Sequence, residues 1–390
     1  MPEMADTLSR TVRGHAPSLI REMFQRAARY EDVISLGIGD PDFNTPEPVC
    51  RAALTDALAG HTHYTQSQGD PELLAALAAD LNGRYGFGCA PGDIVVTFGG
   101  MGALAAAFRA LLDEGDEVII PQPFFPDYTS HVEFSGGVCV FAPTDVANGF
   151  VPEPAAVEAL ITPRTKVLLL NTPCNPTGAV IPGPVLDAFA ELAIRRDLVV
   201  ISDEVYDRLT FGVAHESIRT RPGMAQRTLV IGSFSKNFAM TGWRIGWALG
   251  PQWLVGAILN VTTHNTSCPN SVSQRAAIAA LAQPAATWEA MRREFAARCA
   301  LVHERLAAMP GVTVAPPRGS FYIFPRIAQI GGDGRRFALE LLDREQVVVV
   351  PGEAFGPAGA GCVRLACTVG LTRLAEAMDR LERFLAGYRG

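Results

Sequence analysis

Gly232-Ser233-Phe234-Ser235-Lys236-Asn237-Phe238-Ala239-Met240-Thr241-Gly242-Trp243-Arg244 is the stretch on which the reading of this chain turns. It follows the apolar run Thr228-Leu229-Val230-Ile231, sets one lysine among small hydroxyl residues and places an arginine shortly after it. An amine held at a strand exit, partly desolvated and close to another cation, loses its proton below its usual pKa of about 10.4 and becomes a nucleophile toward carbonyls. Ser233, Ser235 and Arg244 can together receive a phosphate, the arginine through a bidentate fork that a lysine cannot copy. A reactive lysine beside a phosphate cup suits pyridoxal 5'-phosphate, an aldehyde that carries its own phosphate handle. Taken alone, the stretch describes a solvated lysine at a loop edge equally well, so the rest of the chain decides.

Working outward, apolar strand-like runs alternate with helical ones from Ile94 to Leu249. They fall at Val95-Val96, Val118 to Ile120, Val138 to Val140, Val167 to Leu170, Leu198 to Ile201, Leu229 to Ile231 and Ile245 to Leu249. The pattern predicts an α/β fold with a seven-stranded, mostly parallel sheet flanked by helices. Before it, Leu19, Ile20, Met23, Phe24 and Ala27 have helical spacing, Val33 to Leu36 reads as a short strand, and Gly37 to Phe43 is a Gly/Pro-rich crossing. After Pro284 a long helix runs through Met291, Phe295 and Leu301, followed by short strands and a last helix from about Leu371. The expected organisation is an N-terminal arm with part of a small domain over 1–39, a large cofactor-binding domain over 40–284 and a smaller α+β domain over 285–390.

In an open parallel sheet, ligands sit beyond the carboxyl ends of the strands. After Val95-Val96 comes Gly99-Gly100-Met101-Gly102, opening a helix whose free N–H groups favour a phosphate. After Val118 to Ile120 comes Pro123-Phe124-Phe125-Pro126-Asp127-Tyr128, with an aromatic face able to stack on a flat heterocycle. The fourth and fifth runs are followed by Asn175-Pro176-Thr177-Gly178 and by Ser202-Asp203-Glu204-Val205-Tyr206. A buried Asp203 is costly unless a cation such as a protonated pyridine nitrogen faces it.

The chain has 390 residues, 48% of them hydrophobic and 19% charged, with a formal net charge of −7. That length allows two domains sharing a cleft, and the acidic balance argues against nucleic acid or an anionic membrane as partner. With no charged leader and no apolar run long enough to span a bilayer, a cytoplasmic location is expected. The eight scattered cysteines include no Cys-x-x-Cys pair, so neither a disulfide frame nor a metal site is expected.

These motifs resemble those of class I aminotransferases, fold type I pyridoxal-phosphate enzymes, and within them the bacterial subgroup that includes aspartate and aromatic aminotransferases. Asn-Pro-Thr-Gly at 175–178, Ser-Asp-Glu at 202–204, Ser-x-Ser-Lys-x-Phe at 233–238 and Thr-Gly-Trp-Arg-Ile-Gly at 241–246 fall in the family's order. The resemblance implies that Lys236 condenses with the cofactor's aldehyde and later moves a proton between the substrate's Cα and the cofactor. It implies further that Asp203 keeps the pyridine nitrogen protonated, that Asn175 and Tyr206 bond the phenolic oxygen, and that Phe125 stacks on the ring. Ser233, Ser235, Arg244 and the N–H groups of Gly100, Met101 and Gly102 are expected to hold the phosphate. Arg364, with Asn175 and the backbone at Gly39, is expected to clamp the α-carboxylate. The resemblance also implies a homodimer in which Tyr64 reaches the neighbouring subunit's phosphate. The expected activity is amino transfer from an L-amino acid to a 2-oxo acid, with a C–S β-lyase of the same fold or a non-catalytic cofactor-binding module as alternatives. Phe125 stands where relatives often carry Trp, Met101 where they are often polar, and no arginine matches one reserved for a second carboxylate.

Overall fold

A computed structural model describes residues 7–14 and 19–388 of the protein. All seven apolar runs form strands of one sheet: β1 Ile94–Thr97, β2 Glu117–Gln122, β3 Val138–Pro143, β4 Thr165–Asn171, β5 Val199–Asp203, β6 Thr228–Ser233 and β7 Gly246–Leu249. Their spatial order is β1-β7-β6-β5-β4-β2-β3. The neighbours β6, β5, β4, β2 and β3 pair in parallel, whereas β7 runs antiparallel to both β1 and β6. The near-continuous Val/Ile/Leu runs are what a sheet covered on both faces requires. Helix Gly99–Leu111 lays Leu104 and Phe108 on one face, against Val118, Ile120 and Leu169. On the other face, helix Gly183–Arg195 packs Leu186 and Phe189 against Leu168, Leu170 and Val200. Full burial of each such side chain contributes about 1.5–3 kcal/mol.

Register, more than strand composition, assembles the site. Parallel pairing sets Asn171 of β4 opposite Asp203 of β5, and antiparallel pairing sets Ser233 of β6 opposite Gly246 of β7. Gly246 touches the turn that opens helix Gly99–Leu111: a Cβ there would lie 2.5 Å from the Gly99 carbonyl carbon and 2.8 Å from the Gly100 nitrogen. Gly99 itself has φ +69°, a left-handed conformation that favours glycine.

Short elements close the structure around this sheet. Ile34–Ser35 pairs in parallel with Val347–Val348, joining the two ends of the chain, and the expected strand from Val33 to Leu36 shortens to those two residues. Val363–Ala366 pairs antiparallel with both Tyr322–Ile323 and Val350–Pro351. The expected long helix is Ala285–Ala308 and the last one Leu371–Gly387. The first spans Leu19–Ala27 and buries Met23, while the side chain of Ile20 and part of the 1–39 arm lie outside the described residues. Among the described residues no helix is long and apolar enough to cross a membrane.

Candidate active site

Beyond the carboxyl ends of β4, β5 and β6 opens a cavity of about 610 Å³ whose lining includes Asn175, Asp203, Tyr206 and Lys236. Lys236 sits in the single helical turn Phe234–Asn237 that leaves β6. Its Nζ donates to the Gly39 carbonyl at 2.5 Å, fixing the amine against the crossing segment. Burial pulls the Lys236 pKa down to about 8, helped by the nearby Arg364 and Arg244 guanidinium groups and opposed by Asp40. The expectation of a cation-lowered amine holds, with desolvation as the larger cause.

At the floor, Asp203 accepts a hydrogen bond from the Tyr128 hydroxyl at 2.6 Å and one from the Val205 N–H at 3.3 Å. Burial still drives its carboxyl up to about 6, and those hydrogen bonds work against the rise. Such a group stays charged only if a cation is brought to it. Tyr206 exchanges a 3.1 Å hydrogen bond with the Tyr322 hydroxyl, and burial raises both phenols above their ordinary range. Gly39 allows that crowding, because a Cβ on it would fall 1.7 Å from the Tyr322 oxygen.

Arg364, on strand Val363–Ala366, is buried at the wall. Its Nη1 donates to Asn175 Oδ1 at 3.0 Å and its Nη2 to the Gly37 carbonyl at 2.5 Å. The guanidinium lies 4.6 Å from the Tyr322 ring centre and 4.8 Å from that of Phe355, while its buried Nε has no partner. A fully desolvated guanidinium with a donor to spare is poised for an anion.

The opposite corner gathers small polar groups. Ser233 Oγ donates to Ser235 Oγ at 2.9 Å and accepts from the Ser235 N–H at 3.1 Å. Arg244, held at φ +52° with Nη1 donating to the Thr241 carbonyl, brings its guanidinium to the start of helix Gly99–Leu111. There a Cβ on Gly99 would stand 3.1 Å from Arg244 Nη2.

Of the residues singled out from sequence, Gly39, Gly100, Met101, Phe125, Asn175, Asp203, Tyr206, Ser233, Ser235, Lys236, Arg244 and Arg364 line this one cavity. Gly102 and Tyr64 do not, and the Tyr64 side chain is 89% exposed on the surface of the subunit. Sequence reasoning missed Tyr128 and Tyr322, which act on Asp203 and Tyr206. Tyr128 closed a motif read only for its aromatic face, and Tyr322 lay in an aromatic run that reads as core. A polar tip on a buried aromatic was the available signal in both.

A lone desolvated amine facing a buried guanidinium marks the class of enzymes that handle amino acids by way of a carbonyl partner. The family described as "Aminotransferase class I and II" matches residues 31–381, and the chain belongs to it. The aspartate aminotransferase of Pyrococcus abyssi is 41% identical to it, over 95% of this chain and 96% of that one. Aromatic-amino-acid aminotransferase 2 of Thermococcus litoralis is 40% identical over the same shares. A structure of the aspartate aminotransferase from Thermus thermophilus with maleate superposes with a TM-score of 0.92 at 39% identity, covering 96% of this chain and 99% of that one. The protein is a pyridoxal-phosphate-dependent aminotransferase acting on small molecules, and neither the lyase nor the non-catalytic alternative is favoured by these likenesses.

Proposed function

We propose that this aminotransferase moves the amino group of an L-amino acid to a 2-oxo acid with Lys236 as its working base and Arg364 as its carboxylate clamp. The observation that carries the reading is the pairing of a Lys236 amine lowered to about 8 with a buried Arg364 whose Nε is free, both facing one cavity. The residues present fit the cofactor: a buried carboxyl lacking a cation, a serine and arginine corner beside a helix start, and an aromatic wall at Phe125. When bound, pyridoxal phosphate supplies an aldehyde for the substrate's amino group and a ring that accepts the electron pair left at Cα.

The chain's own groups do the rest. Asp203 holds the proton on the pyridine nitrogen, and Tyr128 holds Asp203. Asn175 Oδ1 is occupied by Arg364, which leaves its NH₂ and the Tyr206 hydroxyl to donate to the phenolic oxygen. Ser233, Ser235, Arg244 and the N–H groups of Gly100 and Met101 would hold the phosphate, Gly102 lying off the cavity, and Phe125 would cover the ring. Arg364, Asn175 and the Gly39 backbone orient the α-carboxylate so that the neutral Lys236 amine takes and returns the Cα proton. We further propose a homodimer in which the partner subunit's Tyr64 completes the phosphate site, a reading supported by the exposure of Tyr64 on a single subunit. The division into 1–39, 40–284 and 285–390 belongs to the same proposal, supported by the short strands after Val312 forming sheets separate from the seven-stranded one.

The test is a panel of amino acids added to the holoenzyme. Transamination shifts the bound cofactor's absorbance from its aldehyde to its amine form, and a 2-oxo acid reverses the shift. Release of pyruvate and ammonia without an acceptor would favour the lyase instead. Lys236 is one of two lysines in the chain, so borohydride trapping followed by peptide mapping is decisive. An adduct on Lys166, which pairs with Asp116 at 2.9 Å, overturns the assignment.

A further inference from the structure

Charge in the cavity is unevenly distributed once the roles above are filled. Among the described residues its charged lining is Asp127, Asp203, Lys236, Arg244 and Arg364. The three cations are committed to the amine, the phosphate and the α-carboxylate, and Asp203 to the ring nitrogen. Asp127 is left over. It is half-buried at the start of helix Asp127–Phe134, and its carboxylate has no hydrogen bond or ion pair among the described residues. Burial holds it above the usual carboxylate range, with His131 pulling weakly the other way. The remaining wall is largely apolar, made by Phe24, Ile38, Met101, Leu104 and Pro126, with the neutral amide of the exposed Gln25 at its rim.

We propose that Asp127 sets the side-chain preference of this enzyme, favouring amino acids whose apolar stem ends in an ammonium or another strong hydrogen-bond donor and disfavouring those with a second carboxylate. The inference rests on the roles of Lys236 and Arg364 given above. A second carboxylate entering this cavity leaves water for an apolar wall, meets no uncommitted cation and approaches a like charge. An ammonium at the same place gives Asp127 the partner it lacks, while the stem covers Met101 and Ile38.

The test uses the holoenzyme and three amino acids of one length: lysine, norleucine and 2-aminoadipate. Their ends are cationic, apolar and anionic, so ratios of kcat/KM within one variant isolate the end group. For the native enzyme the lysine to 2-aminoadipate ratio is expected on the order of 100, with norleucine between them. Asp127→Asn should cut that ratio about tenfold, whereas Asp127→Glu should keep the order. Calorimetric affinities for 6-aminohexanoate, hexanoate and adipate, which lack the reacting amine, should rank in the same sequence. A native enzyme that prefers 2-aminoadipate to norleucine overturns the proposal, because a cation from a partner copy or from outside the described residues then meets the second carboxylate. So does an Asp127→Asn ratio equal to the native one, or failure of all three amino acids when others are converted. A cofactor that no amino acid converts at all overturns instead the reading of Lys236 and Arg364.

Discussion

In the proposed mechanism two single residues carry most of the chemistry, and each has a measurable signature. Arg364 can work as a planar fork: one N–H on each Nη goes to Asn175 and Gly37, which leaves the Nε–H and the second N–H of each Nη for a carboxylate. Arg364→Lys keeps the charge but loses the fork and the stacking on Tyr322 and Phe355, so kcat/KM for an α-amino acid should fall by about 2–4 kcal/mol. An amine without a carboxylate should be indifferent to the change, and equal losses for both substrates would make Arg364 structural. Lys236 supplies the pH dependence. Only its neutral form adds to a carbonyl, and with a pKa of about 8 that form is the minority below pH 8 and dominant above it. Uptake of pyridoxal phosphate by cofactor-free protein should therefore quicken about tenfold per pH unit below that point and level off above it. Stopped-flow absorbance decides, since a rate still climbing at pH 10 means an ordinary lysine.

Elements set the distances that those residues exploit. The contact of β7 with the turn before helix Gly99–Leu111 has no room for a methyl group at Gly246. Gly246→Ala should push that turn away from Arg244 and Ser233, costing about 1–3 kcal/mol of stability and weakening cofactor affinity. A variant that melts and binds cofactor like the native protein would show that the turn gives way freely. Sequence revealed a good deal at this scale, because runs such as Val167 to Leu170 are buried on both faces and carry an uninterrupted apolar signal. It also revealed which turns line the cavity, since pockets in such sheets open where strands end. The reversed direction of β7 was not legible, as Ile245 to Leu249 is as apolar as its parallel neighbours and strand direction leaves no mark on composition. The contacts of Tyr322 with Gly39 and Tyr206 were hidden for another reason: they join positions far apart in sequence, and no local pattern encodes them.

At the scale of the whole molecule, the homodimer proposed above is tested through the exposed Tyr64. Provided Tyr64→Phe alone lowers activity or cofactor affinity, mixing Tyr64→Phe chains with Lys236→Ala chains should restore activity toward half that of a native dimer. One of the two mixed sites then joins an intact lysine to the other chain's intact tyrosine. If Tyr64 serves its own subunit, the mixture stays as inactive as its parts. A different consequence follows from the 327 residues that separate Gly37 from Arg364, which grips its carbonyl. On the ribosome, Gly37 is made early and waits for Arg364 through nearly the whole of translation. At a synthesis rate of about 5–20 residues per second, that delay is on the order of a quarter of a minute to a minute. Over the last part of it, once residue 249 has been made, a nascent chain can already carry every strand of the seven-stranded sheet together with Lys236, with no Arg364 opposite. Cellular pyridoxal phosphate thus meets a completed pocket only after synthesis is almost over, and a ribosome stalled before residue 364 should leave a chain that cannot discriminate an amino acid from a simple amine.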